Sequence, residues 1–155
     1  MKIKCQDKFG KEYEFEESEY TYRKSVYGLA KQEDSILMVL DPRSDRWELP
    51  GGGVEAGESD KEALKREFIE ESGLELTDSE PILIDESLGY FFALGEQKPW
   101  QTHRFYYQVT LSGKGKLLDN GNGDDTSAAK FMKISEIKEL AVAMKDLSII
   151  QKTSL

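Results

Sequence analysis

The stretch GGGVEAGESDKEALKREFIEESGL, residues 51–74, decides how this chain is read. Its second half is a helix with both ends written into the sequence. Ser59 is a good N-cap, and Glu62 three residues on completes a capping box. Gly73 supplies the left-handed residue that stops the helix. Between these ends Glu67, Glu70 and Glu71 stand at i, i+3 and i+4, on one face. Two like-charge pairs at those spacings each cost about 0.2–0.5 kcal/mol. Glu70 and Glu71 also sit near the negative end of the macrodipole, which disfavours each by a further ~0.3–1 kcal/mol. A helix that works against itself in this way calls for positive charge in front of the acidic face. Clustered oxygen ligands favour a hard dication, Mg²⁺ or Mn²⁺. Leu64 and Phe68 form an adjoining stripe that anchors the helix to a sheet. The plain alternative is a solvated acidic face, partly neutralised by Lys65 or Arg66.

Outward from this stretch the chain reads as a series of strands. Residues 2–16 predict a hairpin, with Ile3 and Cys5 alternating with polar neighbours, a turn at Gly10, and Tyr13 and Phe15 alternating back. A strand follows over 20–31, and the run Ile36-Leu37-Met38-Val39-Leu40 is apolar on both faces, as a central strand is. Residues 46–57 read as a glycine-rich connection. Beyond the helix come strands near 81–94 and 102–111, a Gly/Asn/Asp loop at 119–127 and a short strand around Phe131. Ser135 caps a last amphipathic helix with the stripe Ile137, Leu140, Ala141 and Met144. Strands on both sides of a central helix predict an α+β domain, a mixed sheet with helices on both faces, spanning residues 1–155 as one unit.

Composition narrows the function classes. The 155 residues carry a formal charge of −9, which repels polyphosphate backbones and argues against stable nucleic-acid binding. A small phosphorylated ligand remains compatible when a cation masks the local field. No apolar run approaches a membrane span, and Lys2, Lys4 and Asp7 break up any signal-peptide pattern. One cysteine, Cys5, excludes an internal disulfide framework and points to a reducing cytosol. One histidine, His103, excludes multi-histidine zinc sites. Gly51, Gly52 and Gly53 let backbone approach metal or phosphate, yet no Gly-Lys-Ser/Thr follows, so this is not a P-loop.

The fixed positions Gly52, Glu58, Arg66-Glu67-Phe68, Glu70-Glu71 and Gly73-Leu74 resemble, without a gap, the signature of the Nudix hydrolase family. Chance gives such a match on the order of once in a million chains of this length. The lead-in Trp47-Glu48-Leu49-Pro50-Gly51 is similar to that family's as well. The resemblance implies an α/β/α sandwich and hydrolysis of a diphosphate linked to another moiety, with water attacking phosphorus. It implies Glu70 and Glu71 as the main ligands of Mg²⁺ or Mn²⁺, helped by the Gly51 carbonyl. Glu67 is then a further ligand or the base, Glu58 acts through a metal-bound water, and Arg66 orients the glutamates. Expected substrates are nucleoside triphosphates, dinucleoside polyphosphates or nucleotide sugars; the alternative is a nucleotide-binding module that keeps the fold without cleaving. A homodimer is the common oligomeric prior.

Outside the motif the sequence offers candidates with two readings each. Asp124, Asp125 and Glu86 are possible extra acids or solvated residues. Tyr90, sixteen positions after Leu74, resembles the family's diadenosine-polyphosphate branch, or else fills a core. Trp47, Trp100, Tyr106 and Tyr107 stack on a base or pack inside. His103 contacts phosphate or makes a structural hydrogen bond. Cys5 reads as filler.

Overall fold

In β4 (Ser35–Asp41) successive side chains alternate between two buried faces, and this places β4 at the centre of the protein. The computed structural model describes residues 1–41, 46–118, 128–137 and 144–153. Leu37 and Val39 pack toward α1 (Asp60–Ser72), with Val26, Ala63, Leu64 and Phe68. Ile36 and Met38 face the other way, onto α2 (Ile134–Ile137) and α3 (Met144–Thr153), with Leu29, Ile137, Ile149 and Ile150. Helices therefore cover both faces, as the strand–helix order predicts.

The remaining strands complete a mixed sheet. In chain order they are β1 (Lys2–Gln6), β2 (Glu12–Glu16), β3 (Thr21–Gln32), β5 (Arg46–Glu48), β6 (Gly51–Gly53), β7 (Leu74–Leu76), β8 (Ile82–Ala93), β9 (Lys98–Val109), β10 (Leu111–Gly115) and β11 (Ala129–Lys133). The sheet runs β11-β4-β3-β9-β8-β1-β2, with β5 beside β4 and β6 beside β3; β7 and β10 form a separate ribbon. β3 and β9 are parallel, and the longer ladders around them are antiparallel. The hairpin β1–β2 buries Cys5 in an aromatic cluster with Tyr20, Phe92, Tyr13, Phe15 and Tyr90.

Three sequence expectations need adjustment. The connection over 46–57 contains two three-residue strands, β5 and β6, because β3 and β4 offer open edges there. β9 begins at Lys98, four residues earlier than read. The last helical region starts at Ile134, so Ser135 lies inside α2 and does not cap it. Ile137 is buried as expected. Leu140 and Ala141, and the side chain of Met144, lie outside the described residues. The apolar anchors found instead are Ile149 and Ile150 of α3.

At the end of α1, Gly73 adopts φ +80, and a Cβ there would sit 2.1 Å from the Lys116 carbonyl oxygen. The chain beyond β10 is tied to this corner. Lys116 N–H donates to Gly73 O and Leu118 N–H to Ser72 O, while Ala129 N–H returns to Leu118 O. Among the described residues no helix is long and apolar enough to cross a membrane.

Candidate active site

The capping box forms as read: the Glu62 N–H donates to Ser59 Oγ at 3.1 Å and the Ser59 N–H donates to Glu62 Oε1 at 3.2 Å. Lys24 holds Asp60, the first residue of α1, at 2.8 Å, and the Tyr107 hydroxyl donates to the same carboxylate. With Leu64 and Phe68 fully buried beneath it, α1 is fixed in rotation. Its acids are thereby aimed at β6.

Arg66 organises one side of this face. Its Nε and Nη2 donate to the two oxygens of Glu58 at 2.7 and 2.9 Å, a bidentate pair. Nη2 also reaches the Gly53 carbonyl at 3.0 Å, and Nη1 reaches Glu67 at 2.9 Å and Glu70 at 3.4 Å. The Arg66 guanidinium, with the Glu55 N–H, holds the Glu58 carboxyl down at about 2. Glu67 lies close over Gly52, where a Cβ would stand 2.6 Å from its Oε1, so a larger residue there would push the carboxylate aside. Burial raises the Glu67 pKa even beside Arg66.

Glu71 has different surroundings. Its Oε1 accepts the Gly51 N–H at 2.7 Å. Burial, reinforced by the charges of Glu67, Glu48 and Glu70, pushes its carboxyl up to about 8 against that hydrogen bond. Glu70 is more than half exposed. The three acids of the helix face thus meet three environments: Glu67 lies between Arg66 and Gly52, Glu70 is in solvent at the edge of Arg66, and Glu71 is at the Gly51 amide.

Among the described residues no three acidic, histidine or cysteine groups stand ready as a metal cage, because Arg66 draws Glu58, Glu67 and Glu70 to itself. The donor set nevertheless fits a hard dication. It is made of carboxylate oxygens beside glycine backbone, and it includes a buried Glu71 whose charge is disfavoured by its neighbours. A dication would reverse that penalty.

The other sequence candidates are dispersed. Trp47 on β5 is half-buried under Lys130 and packs on the α3-side core. Tyr90 joins the hairpin's aromatic cluster, edge-on to Tyr20, and its hydroxyl accepts from Gln101. His103 lies between the Tyr22 hydroxyl and Glu86, each at 2.8 Å, so both His103 and Glu86 are engaged in one chain of hydrogen bonds. Trp100 carries Lys98 over its ring, and Cys5 is buried. Asp124 and Asp125 lie outside the described residues. Sequence reading passed over Arg104 and Asp146, which meet Tyr27, Tyr106 and Glu48 around a cavity. A lone Asp near the start of α3 carries no local signal of burial.

A mixed-sheet sandwich with a glutamate helix packed against a glycine strand defines a recognisable class of domain. The NUDIX domain model matches residues 21–152, and the chain belongs to that family. A protein named "Putative 8-oxo-dGTP diphosphatase 2" from Mycobacterium tuberculosis is 41% identical over 75 residues, 48% of this chain and 49% of that protein. The human diphosphoinositol polyphosphate phosphohydrolase 3-alpha is 35% identical over 81 residues, 52% of this chain and 43% of that protein. These matches span about half the length of the curated relatives or less. Among solved structures, a MutT protein from Bacillus halodurans superposes with a TM-score of 0.67 at 27% identity, covering 83% of this chain and 80% of that one.

Proposed function

We propose that the chain is a metal-dependent pyrophosphohydrolase acting on a nucleoside diphosphate derivative. Glu71 carries this reading: a buried carboxylate held at the Gly51 amide, with its charge disfavoured by burial and by neighbouring acids. Glu70, Glu71, Glu67 and the Gly51 carbonyl would hold Mg²⁺ or Mn²⁺. Such an ion, when bound, supplies an activated water and neutralises charge on the phosphoryl oxygens. The chain's own part is positional. Arg66 fixes Glu67 and Glu58 at 2.7–2.9 Å, leaving Glu67 beside Gly52 as ligand or proton acceptor. Little covalent chemistry falls to the protein, so orientation and electrostatics carry the rate. The relatives' names, an 8-oxo-dGTP diphosphatase among them, support a diphosphate substrate.

The test is a panel of nucleoside triphosphates, dinucleoside polyphosphates and nucleotide sugars with Mg²⁺ or Mn²⁺, read by phosphate or pyrophosphate release. Glu70→Gln and Glu71→Gln should each lower kcat by about a hundredfold or more while far-UV circular dichroism stays unchanged. Near-normal turnover in both variants, or no consumption of any compound by the unmodified protein, overturns the assignment.

A further inference from the structure

On the α1 side of the sheet the helix packs over β3 and leaves part of β8 and β9 open. Phe68 closes over Gly28, and Val26 is fully buried. Farther out, Tyr22 of β3 and Leu83 and Leu88 of β8 are each more than half exposed. The ladders fix how this face is laid out. Lys24, His103 and Leu88 form one row across β3, β9 and β8, and Val26, Phe105 and Glu86 form the next.

Three polar side chains are threaded together here. The Tyr22 hydroxyl lies 2.8 Å from His103 Nδ1, and His103 Nε2 lies 2.8 Å from Glu86 Oε2. An ionised carboxylate only accepts, so the proton of the neutral ring sits on Nε2. Nδ1 is then the acceptor, and the Tyr22 hydroxyl donates into it. A carboxylate that orients an imidazole, which in turn receives the proton of a hydroxyl, is the arrangement that activates nucleophiles. Phe105 packs against the imidazole, with ring centroids 4.2 Å apart, and limits its rotation. Lys24, two residues from Tyr22 along β3, is bound to Asp60 at 2.8 Å and lies over the Phe105 ring. The register of β3 with β9 runs unbroken from Thr21 to Ala30, so the sheet does not need this chain of hydrogen bonds to stay paired.

The surroundings narrow the class of reagent. Glu86 is more than half exposed, and the whole chain carries a formal charge of −9. Both disfavour a phosphate-bearing donor at this face. Leu88 stands across from His103, and Leu83 lies farther along the same face, so the hydroxyl is flanked by an apolar strip. An uncharged donor with a hydrocarbon chain gains from covering that strip.

We propose that Tyr22 is a nucleophile that accepts an acyl group from an activated ester or thioester with an apolar chain, with His103 as base and Glu86 as the residue that positions His103. The phenol oxygen attacks the acyl carbon and its proton passes to His103 Nδ1. The new oxygen–acyl bond forms as the bond to the leaving alkoxide or thiolate breaks, and the imidazolium returns the proton to that leaving group. A tyrosine ester results, with no change of oxidation state.

Incubation with p-nitrophenyl acetate or p-nitrophenyl hexanoate in chelator tests this apart from nucleotide turnover, read by nitrophenolate release and peptide mass spectrometry. Tyr22 should carry the acyl group. Relative to free N-acetyltyrosinamide, hexanoate should be favoured over acetate about fivefold. His103→Phe should slow acylation of Tyr22 about a hundredfold. Should that variant unfold, Glu86→Ala carries the test: the maximal rate should fall about tenfold at an unchanged half-saturating ester concentration. Glu86→Gln, whose amide oxygen still accepts from Nε2, should restore most of that rate. Leu88→Ser should bring the hexanoate preference below about twofold. Acyl groups on lysines but not on Tyr22, a rate no greater than that of N-acetyltyrosinamide, or labelling indifferent to His103→Phe and Glu86→Ala overturns the proposal. Labelling of Tyr22 with no preference for hexanoate overturns the choice of an apolar donor.

Discussion

Glu58 and Glu71 belong to one site, yet their surroundings push them in opposite directions. The Glu58 carboxyl, paired bidentately with Arg66, is held at about 2. Glu71, buried at the Gly51 amide among other acids, is pushed up to about 8. The first is a clamp whose charge is already matched inside the protein. The second is a charge the fold keeps at a disadvantage, and such a group gains most from an incoming cation. One site thus holds both an ion pair that is finished, between the loop before α1 and the helix, and a charge that is not.

The contrast can be broken most sharply at Arg66. Arg66→Met strands Glu58 and Glu67, whose side chains are 14% and 13% exposed. In the metal-free protein it should lower the urea-unfolding midpoint by more than any change that follows. An unchanged midpoint would mean the network is ordinary surface pairing. Next in size is the pH response of the chelated protein. The folded-state pKa of Glu71 lies above its ordinary 4.5, so the folded chain retains a proton that the unfolded chain releases. Stability should therefore fall as pH rises from about 4.5 to about 8, by on the order of 2–3 kcal/mol after allowance for partial exposure. Glu71→Gln should flatten that decline, and an unchanged curve would contradict the buried-charge account. Glu58 acts in the opposite sense: its depressed pKa adds stability above about 4.5 that is lost as pH falls toward 2. The smallest effect is expected at the cap, where Ser59→Ala should cost about 1 kcal/mol in thermal unfolding without altering either carboxylate.

Local chemistry made α1 legible. Its N-cap, its capping box, its Gly73 stop and its glutamate face are all written within residues 59–73. The central strand was equally plain, since a run apolar on both faces has few other homes. β5 and β6 were not: three residues carry too little pattern to read, and each forms only because β4 or β3 supplies the ladder, the three glycines of β6 having no strand propensity of their own. Arg104 and Asp146 were invisible for a related reason. They lie on β9 and α3, and only the parallel pairing of β3 with β9 and the docking of α3 bring them to one cavity. Tyr90 and His103 show the converse: aromatic and titratable residues on strands that look available in sequence are taken up by Tyr20, Tyr22 and Glu86.

The clasp at the end of α1 has a consequence for how such a domain diversifies. Leu118 is bonded both to Ser72, at the foot of the glutamate helix, and to Ala129, where β11 begins. Both ties run through main-chain groups, so they hold whatever side chain stands at position 118. The foot of the glutamate helix stays fastened to the start of β11 while that side chain varies.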